Sequence, residues 1–386
     1  MAEGKSEVLE VGQIIKPATT KDMAKYLVEK LYGIKTTNIT ELNSYDDRNY
    51  LIEVEPSHSN PHLGKLDEKY LLKVLNCMDS KKNHFLGEHA LQKHLNSKLS
   101  VKCPQPVMNI EGKEISFECL DPNKNEVSNL VRLFTYVPGI IFHKGTYSAM
   151  QFYKFGKVLA QMENALIDFN HQTLVGHSTV WNLKFIPDLK KFTNAVKNDG
   201  YVKMVEEVIQ NFESDILPNL KNFREGVIHG DTNEQNILIN NLTDDADIVG
   251  LIDFGDCCFS YVVFDLAITI MYFMVETKSV APLDVGGHIL AGYLEENSQS
   301  SRKINKVEWN ALKSCVAGRF CQSLVMGAYT YELTKDSYVQ VTASKGWDRF
   351  IELWTTPAEK VQENWIRIIK SYNENILQSF DFLKSY

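Results

Sequence analysis

The sequence predicts an α+β chain of two lobes, a small antiparallel-sheet N-lobe followed by a mostly helical C-lobe. Three observations carry this. Between residues 34 and 136, short β-prone runs surround a single helical stretch. From Lys144 onward the apolar residues switch to helical spacing. And 386 residues leave room for two lobes, at about 150 residues per domain.

Composition narrows the class. Hydrophobic residues make up 44% and charged residues 23%, which suits a folded chain and not a disordered one. The net charge of −8 argues against a dedicated nucleic-acid binder, which shows a basic face. Seven scattered cysteines with no C-x-x-C pair build neither a disulfide framework nor a zinc ribbon. The first residues lack an apolar signal core and the Arg-rich character of a transit peptide. The longest apolar stretch, Tyr261 to Val275, spans 15 residues, holds Asp265 and is too short to cross a bilayer. The expectation is a cytoplasmic protein with no membrane or nucleic-acid partner.

In order, residues 1–18 carry no periodicity and read as a loose arm. Residues 19–137 form the N-lobe and 138–386 the C-lobe. Thr19 with Asp22 reads as a capping-box variant, and Gly33 ends the helix that follows. Strands are expected at Lys35–Leu42, Tyr50–Val54, Tyr70–Leu75, Ile115–Cys119 and Asn129–Tyr136. One helix is expected near His84–Leu95, with Leu86, Ala90 and Leu91 as its apolar face. In the C-lobe, Phe152, Phe155, Leu159, Met162 and Leu166 make one helical stripe. Further helices are expected at Tyr201–Leu220, Tyr261–Glu276, His288–Glu296, Lys306–Leu333 and Ala358–Leu377. Short strands interrupt at Val227–Ile228, Ile237–Ile239 and Ile248–Ile252.

Those short strands carry the chemistry. The first delivers a loop with Asp231, the second starts after Asn236, and the third ends in Asp253-Phe254-Gly255. A hairpin of this kind gathers two carboxylates and an amide oxygen at one end of a sheet. Hard oxygen ligands suit Mg²⁺, and the remaining carboxylate can orient a hydroxyl. Phosphoryl transfer needs such positioning and charge neutralisation.

The His229-to-Asn236 run and Asp253-Phe-Gly255 resemble the H-x-D-x-x-x-x-N and D-F-G pair of the protein-kinase-like superfamily. The resemblance implies a protein-kinase-like bilobal fold. It makes Asp231 the base, and Asn236 and Asp253 the Mg²⁺ ligands. It implies that Lys73 binds phosphates, paired with Glu88. Ser44 and Asn49, in a glycine-free turn, would contact phosphate, while Asp46 and Asp47 would repel it unless turned away. Backbone groups around Phe134 to Tyr136 would bond the nucleotide base. Gly230 stands where protein kinases carry Arg, and Asp265 follows Asp253 by only 12 residues, leaving no room for a long activation segment. That favours a small-molecule acceptor. Asp265, an acid in an apolar helix, needs hydrogen bonds and is expected to hold the loop's backbone.

Together these features resemble the aminoglycoside-phosphotransferase-like kinases, and among them the hydroxylysine kinases. Matching segments run almost end to end, from Ser44-Tyr-Asp-Asp47 through Val131–Gly139 and Trp181-Asn-Leu183 to Arg319–Met326. The resemblance implies transfer of the γ-phosphoryl of GTP, with ATP as the other donor, to the hydroxyl of 5-hydroxy-L-lysine. The product would be 5-phosphohydroxylysine. Asp256 and Glu276 are candidate partners for its amines and Arg319 for its carboxylate. Choline, ethanolamine and homoserine are rival acceptors. A nucleotide-binding pseudokinase that serves as an interaction module is the rival of another class, and the presence of Lys73, Asp231, Asn236 and Asp253 together speaks against it.

Overall fold

The computed structural model describes residues 16–44, 47–120, 128–335 and 343–384. The expected N-terminal arm up to residue 15, and Asp46, lie outside the described residues. Two compact units divide the chain, one comprising Gln13–Lys93 with Cys103–Pro138, the other centred on Gly139–Tyr386 together with His94–Lys102.

In the first unit, α1 (Lys21–Tyr32) begins at Thr20, whose hydroxyl accepts the Met23 N–H, and ends at left-handed Gly33. The cap is therefore one residue later than Thr19, whose carbonyl accepts the Tyr50 hydroxyl at 2.6 Å. Strands β1 (Ile34–Leu42), β2 (Arg48–His58) and β3 (Lys69–Val74) precede α2 (Phe85–Lys98); β4 (Ser116–Cys119) and β5 (Ser128–Thr135) follow. They form one antiparallel sheet in the order β1-β2-β3-β5-β4. Helix α1 packs Leu27, Val28 and Tyr32 onto Ile34, Tyr50, Ile52 and Leu72. In α2, Leu86 is exposed instead of buried. The buried face carries Phe85 and Leu91 but also Glu88, His89 and Gln92, so the apolar period misstates it.

In the second unit, β6 (Ile140–Ile141) leads to α3 (Ala149–Ala165), the short α4 (Gln172–Val175) and α5 (Asp199–Asn211). A wider π-turn continues α5 into the single turn α6 (Leu217–Asn219). Next come β7 (Glu225–Ile228), β8 (Ile237–Ile239), β9 (Ile248–Leu251) and β10 (Cys258–Tyr261). The remainder is helical: α7 (Val262–Glu276), α8 (Pro282–Asn297), α9 (Lys306–Thr334), α10 (Ala343–Thr355), α11 (Ala358–Tyr372) and α12 (Asn375–Gln378). The three short strands do not share one sheet. β8 and β9 form the expected hairpin, with β6 beside β8, whereas β7 pairs with β10. β10 is four residues long, too short for its alternation to be read in the sequence. No helix among the described residues is long and apolar enough to cross a membrane.

Helices α3 and α8 cross backbone to backbone. A Cβ on Gly156 would lie 2.0 Å from the Ile289 carbonyl oxygen, and one on Gly292 1.9 Å from that of Tyr153. Beside them lies a buried charge group. Arg224 donates to Glu308 at 2.8 Å and to the Tyr293 hydroxyl at 3.0 Å, and that hydroxyl donates to Glu163. Burial pushes the Glu163 carboxyl up to about 8, against the pull of Arg224.

Two predictions follow from this packing. Gly292→Ala forces the helices apart and is expected to cost at least about 2 kcal/mol, read as a lower urea midpoint. For Glu163, the folded chain keeps a proton that the unfolded chain releases near 4.5, so its contribution falls as pH rises from there to about 8. Urea midpoints of Glu163→Gln across that range should decline less with pH than those of the wild type.

Candidate active site

The loop between β7 and β8 is held from below by Asp265. Its two carboxylate oxygens accept the backbone N–H groups of His229, at 2.7 Å, and Gly230, at 2.8 Å. Its own carbonyl accepts the Thr232 hydroxyl at 3.2 Å. Asp265 is fully buried, and burial pushes its carboxyl upward. Gly230 sits at φ +84°, and a Cβ there would meet the Asp256 carbonyl oxygen at 2.4 Å, so glycine is required.

The loop presents Asp231, whose side chain is 22% exposed. Its Oδ2 accepts from the Asn233 amide at 2.8 Å and the Asn236 amide at 2.9 Å. Asn236 also donates to the Asp231 carbonyl at 2.9 Å, so its amide oxygen is the atom left to act as a ligand. The Ile252 N–H donates to the Asn236 carbonyl at 2.9 Å, tying the loop to the end of β9. Just beyond, exposed Asp253 occupies the left-handed region at φ +60°, strained for a residue other than glycine.

Of the acceptor-site candidates, Asp256 accepts from the Thr179 hydroxyl at 3.2 Å. Burial, with the Asp231 charge, pushes its carboxyl up to about 7. Glu276 closes α7, buried, and faces Glu234 of the loop. Burial, with Glu276 beside it, pushes Glu234 to about 7. Arg319, from α9, is 1% exposed and its fork is fully engaged. Nη1 donates to the Trp181 carbonyl at 3.0 Å and the Gln322 side chain at 2.9 Å. Nη2 donates to Asp231 Oδ1 at 3.1 Å and the Tyr272 hydroxyl at 3.2 Å. The expected bidentate clamp on an acceptor carboxylate has no terminal N–H left to it.

In the first unit, Lys73 sits in register between Asn49 and Arg132 on neighbouring strands. Its expected partner Glu88 is ion-paired with Arg132 at 2.5 Å. Burial opposes the Glu88 charge, yet Arg132 and then Lys73 hold its carboxyl below the ordinary range. The Asn49 side-chain oxygen is buried without a partner among the described residues. The Ser44 hydroxyl donates to the Asp47 carbonyl at 2.5 Å. Asp47 turns inward, accepting from the Asn76 backbone at 2.8 Å and its amide at 3.1 Å. Phe134 is buried, and its strand is bonded on both sides. It pairs with Leu71 of β3, while Val107 and Gln105 bond its neighbours Leu133 and Thr135. Backbone groups for a base contact therefore begin at the half-exposed Tyr136.

The profile of the phosphotransferase enzyme family (APH) matches residues 38–296. The chain belongs to this family. Mouse hydroxylysine kinase is 34% identical over 377 residues, covering 94% of this chain and 96% of that protein. The Xenopus laevis hydroxylysine kinase is 34% identical over 369 residues, covering 92% and 96%. Among solved structures, an amicoumacin kinase bound to AMP-PNP and Ca²⁺ shares the fold at TM-score 0.66 and 14% identity, over 89% of this chain and 97% of its own. A GDP complex of an aminoglycoside 2'-phosphotransferase does so at TM-score 0.57 and 16% identity, over 89% and 99%. The chain is thus a small-molecule kinase, a phosphotransferase with an alcohol acceptor.

Arg132, paired with Glu88, and Glu234, beside Asp231, were not among the expected residues. Both were legible. A lone Arg inside Val131-Arg-Leu-Phe134 demands a buried partner, and Glu234 adds an acid between Asp231 and Asn236. Removing the loop's anchor tests its role. Asp265→Ala leaves two buried N–H groups without acceptors, each costing about 1–3 kcal/mol. A fall in urea stability above about 2 kcal/mol is expected, with a smaller fall for Asp265→Asn, which keeps one acceptor oxygen.

Proposed function

We propose that this phosphotransferase transfers the γ-phosphoryl of GTP to the hydroxyl of 5-hydroxy-L-lysine, with Asp231 as the base. The observation that carries the chemistry is the Asp231 carboxylate, fixed by donors on both oxygens and still partly open to solvent. A carboxylate so placed can orient an acceptor hydroxyl and take its proton. Hydroxylysine is proposed because relatives of 30–34% identity over almost the whole chain carry that name.

Asn236 and Asp253 suit Mg²⁺. No three His, Cys, Asp or Glu side chains among the described residues gather into a metal cage. A nucleotide-bound Mg²⁺ needs only one or two protein oxygens beside the phosphates and water, and neutralises developing charge. Asn236 supplies an amide oxygen fixed by its N–H bonds, and Asp253 a strained, exposed carboxylate. Lys73 serves the phosphates, its ammonium acting on the nearby acids Glu88 and Asp47, with Ser44 and Asn49 as further phosphate contacts. Tyr136 is the backbone contact for the base. Asp256 and Glu276 receive the acceptor's ammonium groups.

Product formation is the test, with GTP and ATP run in parallel against hydroxylysine, lysine, choline, ethanolamine and homoserine. Turnover confined to hydroxylysine, faster with GTP, is expected. Turnover of another amino alcohol alone overturns the acceptor. Asp231→Asn should lower kcat by at least about 10²-fold while nucleotide affinity holds. Asp253→Ala should abolish metal-dependent nucleotide binding.

A further inference from the structure

We propose that Arg319 is a positioning residue for Asp231 and not a ligand of the acceptor. The inference rests on Asp231 being the base. A carboxylate offers about four acceptor positions. On Asp231 the two side-chain amides of Asn233 and Asn236 fill Oδ2, and Arg319 takes one position on Oδ1. The position still open is therefore on the oxygen that Arg319 holds. That oxygen is the one assigned to the acceptor hydroxyl, and Arg319 sets the direction in which it points.

The surroundings of Arg319 fit a fixed strut. Its guanidinium lies between the rings of Trp181 and Tyr272, 5.2 and 5.3 Å from their centroids. Three other acceptors, the Trp181 carbonyl, Gln322 and Tyr272, hold the remaining terminal N–H groups. Gln322 is itself locked, donating to the Val180 carbonyl at 2.6 Å. A planar five-donor group can meet this set at once, and an ammonium cannot. A group meant to grip and release a substrate carboxylate would have terminal donors to offer. Arg319 offers only Nε, which is buried without a partner among the described residues.

The test compares two acceptors, 5-hydroxy-L-lysine and its carboxyl-free counterpart 1,5-diaminopentan-2-ol, with wild type, Arg319→Lys and Arg319→Met. A strut displaced from the base is expected to cost about 10²-fold in kcat. The loss should be equal for both acceptors, with acceptor KM little changed and Arg319→Lys intermediate. In the double variant Asp231→Asn/Arg319→Met, kcat should fall no further than in Asp231→Asn alone, because both act through one group. A rise in KM confined to the carboxylated acceptor, or fully multiplicative losses in the double variant, overturns the proposal. Nucleotide affinity reports folding in each variant. If Arg319→Met does not fold, Arg319→Lys and Tyr272→Phe carry the same comparison. Wild-type turnover by Asp231→Asn would remove the underlying base assignment instead, a separate outcome.

Discussion

The buried carboxylate of Asp265 receives the N–H of His229 on one oxygen and that of Gly230 on the other, and this pair of bonds decides where the 229–236 loop can run. Both donors lie in the interior, where an unmet N–H costs as much as the bond is worth. Asp265 has no freedom to follow the loop elsewhere, because it belongs to α7, buried along almost its whole length. The loop is therefore an extension of the helical core. Asp231 and Asn236 inherit that rigidity through the bonds they make to each other. Phosphoryl transfer depends on positioning more than on covalent participation, so a loop pinned at its root is what the chemistry requires.

Among the described residues, Arg132, Arg224 and Arg319 each hold a buried or half-buried acid, and exposure separates their roles. Arg132 with Glu88 and Arg224 with Glu308 are closed pairs, each acid at most 1% exposed at its side chain. Desolvation offsets much of the attraction in such pairs, while losing one partner leaves a stranded charge. Arg319 with Asp231 differs, since the arginine is buried but the acid keeps 22% of its side chain open. A half-closed pair holds a carboxylate in place without sealing it from a reactant. Beside it, Asp256 and Glu234 are pushed upward chiefly by burial, which outweighs the pull of Arg319 on Asp256.

Much of the fold was legible because its elements obey simple periods. The stripe from Phe152 to Leu166 is buried throughout, and the five N-lobe strands lie within a few residues of their expected bounds. The expected loop-holding role of Asp265 matches its bonds, because an acid in an apolar helix admits few explanations. What escaped was non-local or too short. β10 and β6 are defined by partners far away in sequence, not by their own alternation. Leu86 was placed inward because α2 buries Glu88, His89 and Gln92, and no hydrophobic period registers a polar face. Nothing in the segment around Arg319 shows that Trp181, Tyr272 and Gln322 converge on it.

Two left-handed residues bracket the acidic site, and the chain treats them differently. At position 230 the backbone of Asp256 is so near that any Cβ collides, and the residue is glycine. At position 253 a side chain is already accommodated, so space is not the constraint. Glycine would relieve the φ of +60° there, at a saving of order 1 kcal/mol. The chain keeps an acid in spite of that strain. A strained, exposed carboxylate at this position fits the cation duty proposed for Asp253. The backbone thus requires glycine at 230 and tolerates an acid at 253, where the proposed ligand duty gives that acid a use.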